Sequence, residues 1–193
     1  MHVEPALPRY QLERTPGGIR VAIPARRNWF VILFISVWLV AWAFGERSAI
    51  EQLTDPQKPS QGAFLFIWLI GWTLGGAWAL LSVLWQMFGK EIIIVEHGVI
   101  VHSADILGIG RTRSYAANQV TRLRAVDYTS SMRSNQAAWK PPFFGAAAGP
   151  IAFDYGARSI RIAPSLDEAE ARLLVPKLTE RLPANVSEDR IDL

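Results

Sequence analysis

Two stretches without a single charged side chain limit what this chain can fold into. Trp29–Phe44 and Ala63–Phe88 together hold 42 residues, of which 35 are hydrophobic. As helices they reach about 24 Å and about 39 Å, against a hydrocarbon core of about 30 Å. The first is slightly short, but Asn28 and Gly45 extend it and interfacial tryptophan absorbs the mismatch. The second is long enough to cross with tilt. Seven of the eight tryptophans lie in these windows, and Trp29 and Trp85 sit near ends, where an indole N–H reaches the headgroups. The whole chain is 50% hydrophobic, yet the 151 residues outside the windows are only about two-fifths so, an ordinary value for soluble protein. A simple soluble globule and a disordered chain are both excluded. The expected organisation is a membrane anchor beside one soluble domain.

Charge gives the anchor a direction. The segment before residue 29 has five arginines, Arg9, Arg14, Arg20, Arg26 and Arg27, against two acids, and the last two abut the first window. The loop between the windows has three acids and two bases. The positive-inside bias predicts a multi-pass protein with both termini in the cytoplasm and the short loop outside. The first window is long, starts late and is followed by a second, so a cleaved signal peptide is not expected. From Lys90 onward thirteen basic residues face twelve acidic ones, a balance that argues against a nucleic-acid partner. The absence of cysteine excludes disulfides, Cys-based zinc sites and thiol catalysis. His2, His97 and His102 are too scattered to suggest a metal cluster, and no cofactor is expected.

After the second window the pattern turns to strands. Glu91–Val95 and Val99–Ser103 flank Glu96-His97-Gly98, a tight turn with Gly98 free to take positive φ. Ile106–Tyr115 reads as a strand broken or bulged at Gly108 and Gly110. Val120–Tyr128 alternates, and Ile151–Tyr155 and Ser159–Ala163 flank a second hairpin signal, Gly156-Ala157-Arg158. Ser165 and Glu168 form an S-x-x-E capping box ahead of an apolar stripe, Leu166, Ala169, Leu173, Leu174, Leu178 and Leu182, which Pro176 should kink or split. Ile19–Ile23 is a candidate strand that could join the C-terminal sheet. The expected divisions are a cytoplasmic arm 1–28, a transmembrane helix 29–45, an external loop 46–62, a second transmembrane helix 63–88, a cytoplasmic domain 89–183 and a polar tail 184–193.

Several strands followed by one amphipathic helix resemble the bacterial membrane proteins that carry a pleckstrin-homology-like (PH-like) domain beside a transmembrane hairpin. The matching stretches are GGIRVAIPARRNWF, KEIIIVEHGVIVHS and IAFDYGARSIRIAPSLDEAEARLL. The resemblance implies an α+β protein of the bacterial inner membrane. Its soluble part would be an antiparallel β-barrel or bent sheet capped by the C-terminal helix. It implies a fold rather than a reaction.

Catalytic signatures are missing: there is no G-x-S-x-G, H-E-x-x-H or P-loop. The expectation is therefore a non-enzymatic module that binds a membrane-protein partner or a second copy of itself, or organises a membrane complex. The alternative is an anionic-lipid-binding module. Three sets of residues are candidates. Trp139, Lys140, Phe143 and Phe144 lie in a long connection, Thr129–Pro150, with residue types that suit a membrane interface or a partner's groove. Arg111 with Arg113, and Arg122 with Arg124, each lie two apart on a strand; if those strands are neighbours, four guanidinium groups converge on lipid headgroups or a partner. Gly71, Gly75 and Gly76 form a small-residue patch for helix packing, either on the first span or in an oligomer.

Overall fold

The computed structural model describes residues 8–55, 62–126 and 149–183. The chain forms two compact units, one from residues 1–25 with 88–193 and one from residues 26–87.

The first unit contains two antiparallel sheets. Strands β1 (Gln11–Thr15), β2 (Gly18–Pro24), β3 (Gly89–Glu96), β4 (Val99–Ile106) and β5 (Ile109–Ala116) form a five-stranded sheet in that spatial order. Strands β6 (Val120–Ala125), β7 (Ile151–Tyr155) and β8 (Arg158–Ile162) form a second, three-stranded sheet. The two sheets are not closed into a barrel by any strand ladder among the described residues. Two-residue turns set the registers. His97 and Gly98 both have positive φ, as do Leu107 and Gly108, which is the backbone of turns that match the twist of paired strands. The expected break at Gly108 is thus a full reversal: Ile106 ends β4 and Ile109 opens β5, paired with each other. β1 is a further edge strand that the mostly polar run Gln11–Thr15 does not announce.

Ile19–Ile23 does join the C-terminal sheet. Ile19 pairs with Val95, Val21 with Ile93 and Ile23 with Glu91, and the Ala25 N–H donates to the Gly89 carbonyl at 3.0 Å. The ladder is close: a Cβ on Gly18 would stand 1.9 Å from the Val95 carbonyl oxygen, so this position admits only glycine. The entire helical unit is therefore an insertion between two hydrogen-bonded neighbouring strands.

Alternation then builds the core. Gly89, Glu91, Ile93 and Val95 are buried along β3, while the residues between them are not. Val21, Ile23, Ile93, Val120, Ile151 and Phe153 are fully buried, and Tyr115 meets Phe153 edge-on at 5.1 Å, bridging the inner faces of the two sheets. The C-terminal helix α3 (Glu168–Thr179) adds Ala171, Leu174 and Leu178. Its start differs from the S-x-x-E expectation. The N-cap is Asp167, which forms a reciprocal capping box with Glu170. Ala169 and Leu173 consequently face outward, and α3 runs through Pro176 as one helix.

The second unit is a helical hairpin. Helix α1 (Trp29–Leu53) outruns its apolar window by continuing through Gly45 and the charged residues Glu46, Arg47 and Glu51, so the expected loop 46–62 is helical at its start. Helix α2 (Gly62–Phe88) matches its window. Both are long and apolar enough to cross a membrane. The Trp42 indole N–H donates to the Trp72 carbonyl at 3.1 Å, and Trp68 stacks on Trp72 with centroids 4.7 Å apart.

Two substitutions test this fold by thermal unfolding of the detergent-solubilised chain. Gly18→Ala should destabilise by about 2 kcal/mol or more, because the clash is with backbone rather than a movable side chain. Asp167→Ala should cost about 1 kcal/mol, and Ser165→Ala should not mimic it as the loss of a helix cap.

Candidate functional site

The four arginines expected to converge are divided between the two sheets. Arg111 and Arg113 lie on β5, the edge of the larger sheet, and Arg122 and Arg124 on β6, the edge of the smaller one. No ladder joins β5 to β6 among the described residues; a short turn of 3-10 helix, Ala117–Gln119, carries the chain from one sheet to the other.

Arg122 and Arg124 have a partner within their own sheet. Arg122 takes a left-handed backbone at φ +52, and the register with β7 shifts between Thr121 and Arg124, a bulge that interrupts simple alternation. Both guanidinium groups then reach Asp154: Arg122 Nη2 lies 2.6 Å from Oδ2, and Arg124 Nη1 lies 3.4 Å from Oδ1. Burial pushes the Asp154 carboxyl up, but the hydrogen bond from Ser159 and the charges of Arg124 and Arg122 outweigh it. Its pKa falls below the ordinary carboxylate value. This pair of arginines is a structural clamp across the β6–β8 sheet.

Arg111 and Arg113 stand on the inner face of the larger sheet. Arg113 pairs with His102 and Arg111 with Ala104, in the same cross-strand rows as Ile93 and Glu91. Those rows contain a buried polar group that sequence reasoning missed. Glu91 is 0% exposed. Its Oε1 accepts from the Ser165 N–H at 3.1 Å and from the Ser165 hydroxyl at 2.5 Å, and its Oε2 lies 3.3 Å from His102 Nε2. Around it, the Arg9 guanidinium donates to the Ser165 carbonyl and pairs with Glu170 at 2.8 Å. Burial raises the Glu170 carboxyl, but hydrogen bonds from Arg9 and from the Asp167 backbone, with the Arg9 charge, pull it below its ordinary value. The signal was in the sequence. Glu91 is in phase with Ile93 and Val95, so a carboxyl group occupies a core position and requires hydrogen-bond partners.

Serine, histidine and a carboxylate here do not make a nucleophilic triad. In such a triad the imidazole touches the hydroxyl, so that it can take its proton. Here the carboxylate lies between the two and accepts from the hydroxyl itself. What the arrangement does is tie the start of β3 to β4 and to the turn before α3.

The remaining candidates separate. Trp139, Lys140, Phe143 and Phe144 lie outside the described residues. The ends of their connection are fixed, with the Val126 N–H donating to the Pro150 carbonyl at 2.8 Å. In the hairpin, Gly76 packs against the Trp42 indole, where a Cβ would stand 2.1 Å from Cε2, whereas Gly71 and Gly75 have open space beside them. Among the described residues, Gly76 is thus the member of the small-residue patch that packs within the hairpin. A cavity of about 260 Å³ is lined by Leu12, Arg14, Ile19, Lys177, Glu180 and Arg181. Set against known families, curated proteins and solved structures, the chain matches none.

Two predictions follow from the buried charges. Glu91→Ala strands the Ser165 donors in the core and should cost about 3 kcal/mol, while Glu91→Gln, which keeps an acceptor for Ser165, should cost clearly less in the same unfolding assay. The native carboxyls of Asp154 and Glu170 hold their protons less tightly than unfolded ones. Their stabilisation is complete above the ordinary carboxylate range, about pH 4, and is lost as pH falls through the depressed native values. Melting temperature should therefore fall on acidification through that window, and the fall should shrink in Asp154→Asn.

Proposed function

We propose that this chain is a non-enzymatic, membrane-anchored PH-like module that binds a membrane-protein partner or organises a membrane complex. The observation that carries this reading is the insertion of the helical hairpin between β2 and β3. A domain tethered by a flexible linker samples a volume. Here β3 follows α2 with no residue between them and only residues 25–28 join β2 to α1, short connections that support a platform kept close to its anchor. The apolar windows of α1 and α2 are only 6% buried, unlike the core helix of a soluble protein, which supports reading them as spans. The pairing of β2 with β3 supports reading the arm before the hairpin and the domain after it as lying on one side of the membrane. The arginine excess before residue 29 supports the cytoplasm as that side, and the resemblance supports a bacterial inner membrane.

Two antiparallel sheets ending in an amphipathic helix support the PH-like assignment, in an open form. The partner-binding element is the connection carrying Trp139, Lys140, Phe143 and Phe144. It combines aromatic side chains with a cation, and the chain on either side of it is pinned by the bond from Val126 to Pro150. The alternative, recognition of anionic lipid by four converging arginines, loses Arg122 and Arg124 to Asp154.

Extraction of native membranes in mild detergent, followed by native electrophoresis, tests the reading. The chain should migrate in an assembly larger than itself. Replacing Trp139, Phe143 and Phe144 with alanine should release it while it still fractionates with the membrane. Migration as a single chain, under conditions that preserve other membrane complexes, would count against the proposal.

A further inference from the structure

The two ends of the five-stranded sheet differ in chemistry. At one end the turns are Pro16-Gly17 and His97-Gly98. At the other, the turn is Leu107-Gly108, followed by Ile109. This second end is where β3 begins at Gly89, immediately after Phe88, the last residue of α2. Gly89 pairs with Ile106, and Ile106 with Ile109. Ile106, which enters the apolar turn, is thus about 5 Å, one strand spacing, from the residue at which the apolar helix becomes strand, and Ile109, which leaves it, is about 10 Å away. That proximity follows from the ladder alone.

Leucine is an unexpected choice for this turn. Leu107 is 71% exposed and Ile109 is 83% exposed. Leu107 also takes φ +53, a left-handed conformation that costs a residue with a Cβ about 1 kcal/mol or more. Asparagine or glycine would make the same turn without the strain and without presenting hydrocarbon to water. Neither backbone preference nor aqueous solvation explains leucine here, whereas a lipid environment does. The turn is also held in shape: the Gly108 N–H donates to Asp105 Oδ1 at 3.2 Å.

Cations bracket it. Lys90 follows Gly89 and lies 3.7 Å from Asp105 Oδ1, half exposed, and Arg111 is exposed two residues beyond Ile109. Arg26 and Arg27 follow Ala25, whose N–H is bonded to Gly89. Apolar side chains at a tip with basic residues just behind it match the layering of a bilayer surface, acyl chains below phosphates.

We propose that the Leu107–Ile109 turn inserts into the interfacial layer of the membrane from which α2 emerges, with Lys90 and Arg111 at the level of the lipid phosphates. The proposal rests on α2 crossing that membrane. It gives the domain a point of contact with lipid besides the anchor itself.

The chain has no cysteine, so single-cysteine fluorescent labels report one site each. The full-length protein, labelled at Leu107→Cys or Ile109→Cys, is reconstituted in vesicles of phosphatidylethanolamine and phosphatidylglycerol. Labels at His97→Cys, the opposite turn, and Leu74→Cys, within α2, serve as references. Labels at 107 and 109 should be quenched by lipids brominated high on the acyl chain, and should be roughly threefold or more less sensitive to aqueous iodide than the label at 97. Quenching at 74 without quenching at 107 and 109 overturns this proposal and leaves the span intact. No lipid quenching at 74 overturns both. Protection from iodide without lipid quenching means that protein covers the turn, and also overturns the proposal. Leu107→Asn separates lipid contact from folding. It should leave the melting temperature unchanged or higher, yet weaken the quenching of a label at 109; undiminished quenching contradicts the assigned role of Leu107.

Discussion

The β2–β3 ladder is the interaction on which the rest of the structure depends. Its strands are separated in the chain by the whole helical hairpin, yet they pair residue for residue from Gly18 with Glu96 to Pro24 with Lys90. Closing so long a connection costs entropy that local contacts do not repay. The return comes from burying Ile19, Val21 and Ile23 against Ile93, Val95 and the second sheet. Without the ladder, β1 and β2 would be an isolated hairpin, which is marginal in water. With it, the chain before the hairpin and the chain after it become one folded unit.

A buried carboxyl group makes the same junction specific. Glu91 pairs with Ile23 across the ladder and accepts from Ser165, a residue more than seventy positions away, while facing His102 on β4. An apolar residue at 91 would avoid the desolvation cost but would define no partner. A carboxylate there tolerates only an arrangement that supplies its donors. Arg9 extends the network to the start of α3 through Glu170 and the Ser165 carbonyl. These polar groups thus mark where the arm, the larger sheet and the helix meet.

Much of this was legible in residue patterns, and the failures have physical reasons. Gly98 and Gly156 announced their turns because each occupies a positive-φ position that glycine takes without strain. The sequence places the Leu107-Gly108 turn inside a strand broken or bulged at Gly108 and Gly110, because leucine is a poor turn residue. The helix start was misplaced because Ser165 fits a capping box by spacing, while its hydroxyl is committed to Glu91. Of the candidate residues, the arginine pairs were found but not their roles. No local pattern says that a bulge at Arg122 turns two guanidinium groups onto Asp154, because that depends on how β6 meets β7. The aromatic set around Trp139 lies outside the described residues and stays a reading of composition.

The most direct test of the account is a cross-link between β2 and β3 in the membrane-embedded, full-length chain. Arg20 and Ile94 are register partners, and the chain has no native cysteine to compete. With Arg20→Cys and Ile94→Cys together, mild oxidation should yield an intrachain disulfide, read by mass spectrometry as a linked pair of peptides. The out-of-register pair Arg20→Cys with Thr112→Cys should stay reduced. Failure of the first pair to link within one chain, or equal linking of the second, would contradict a hairpin inserted between paired strands.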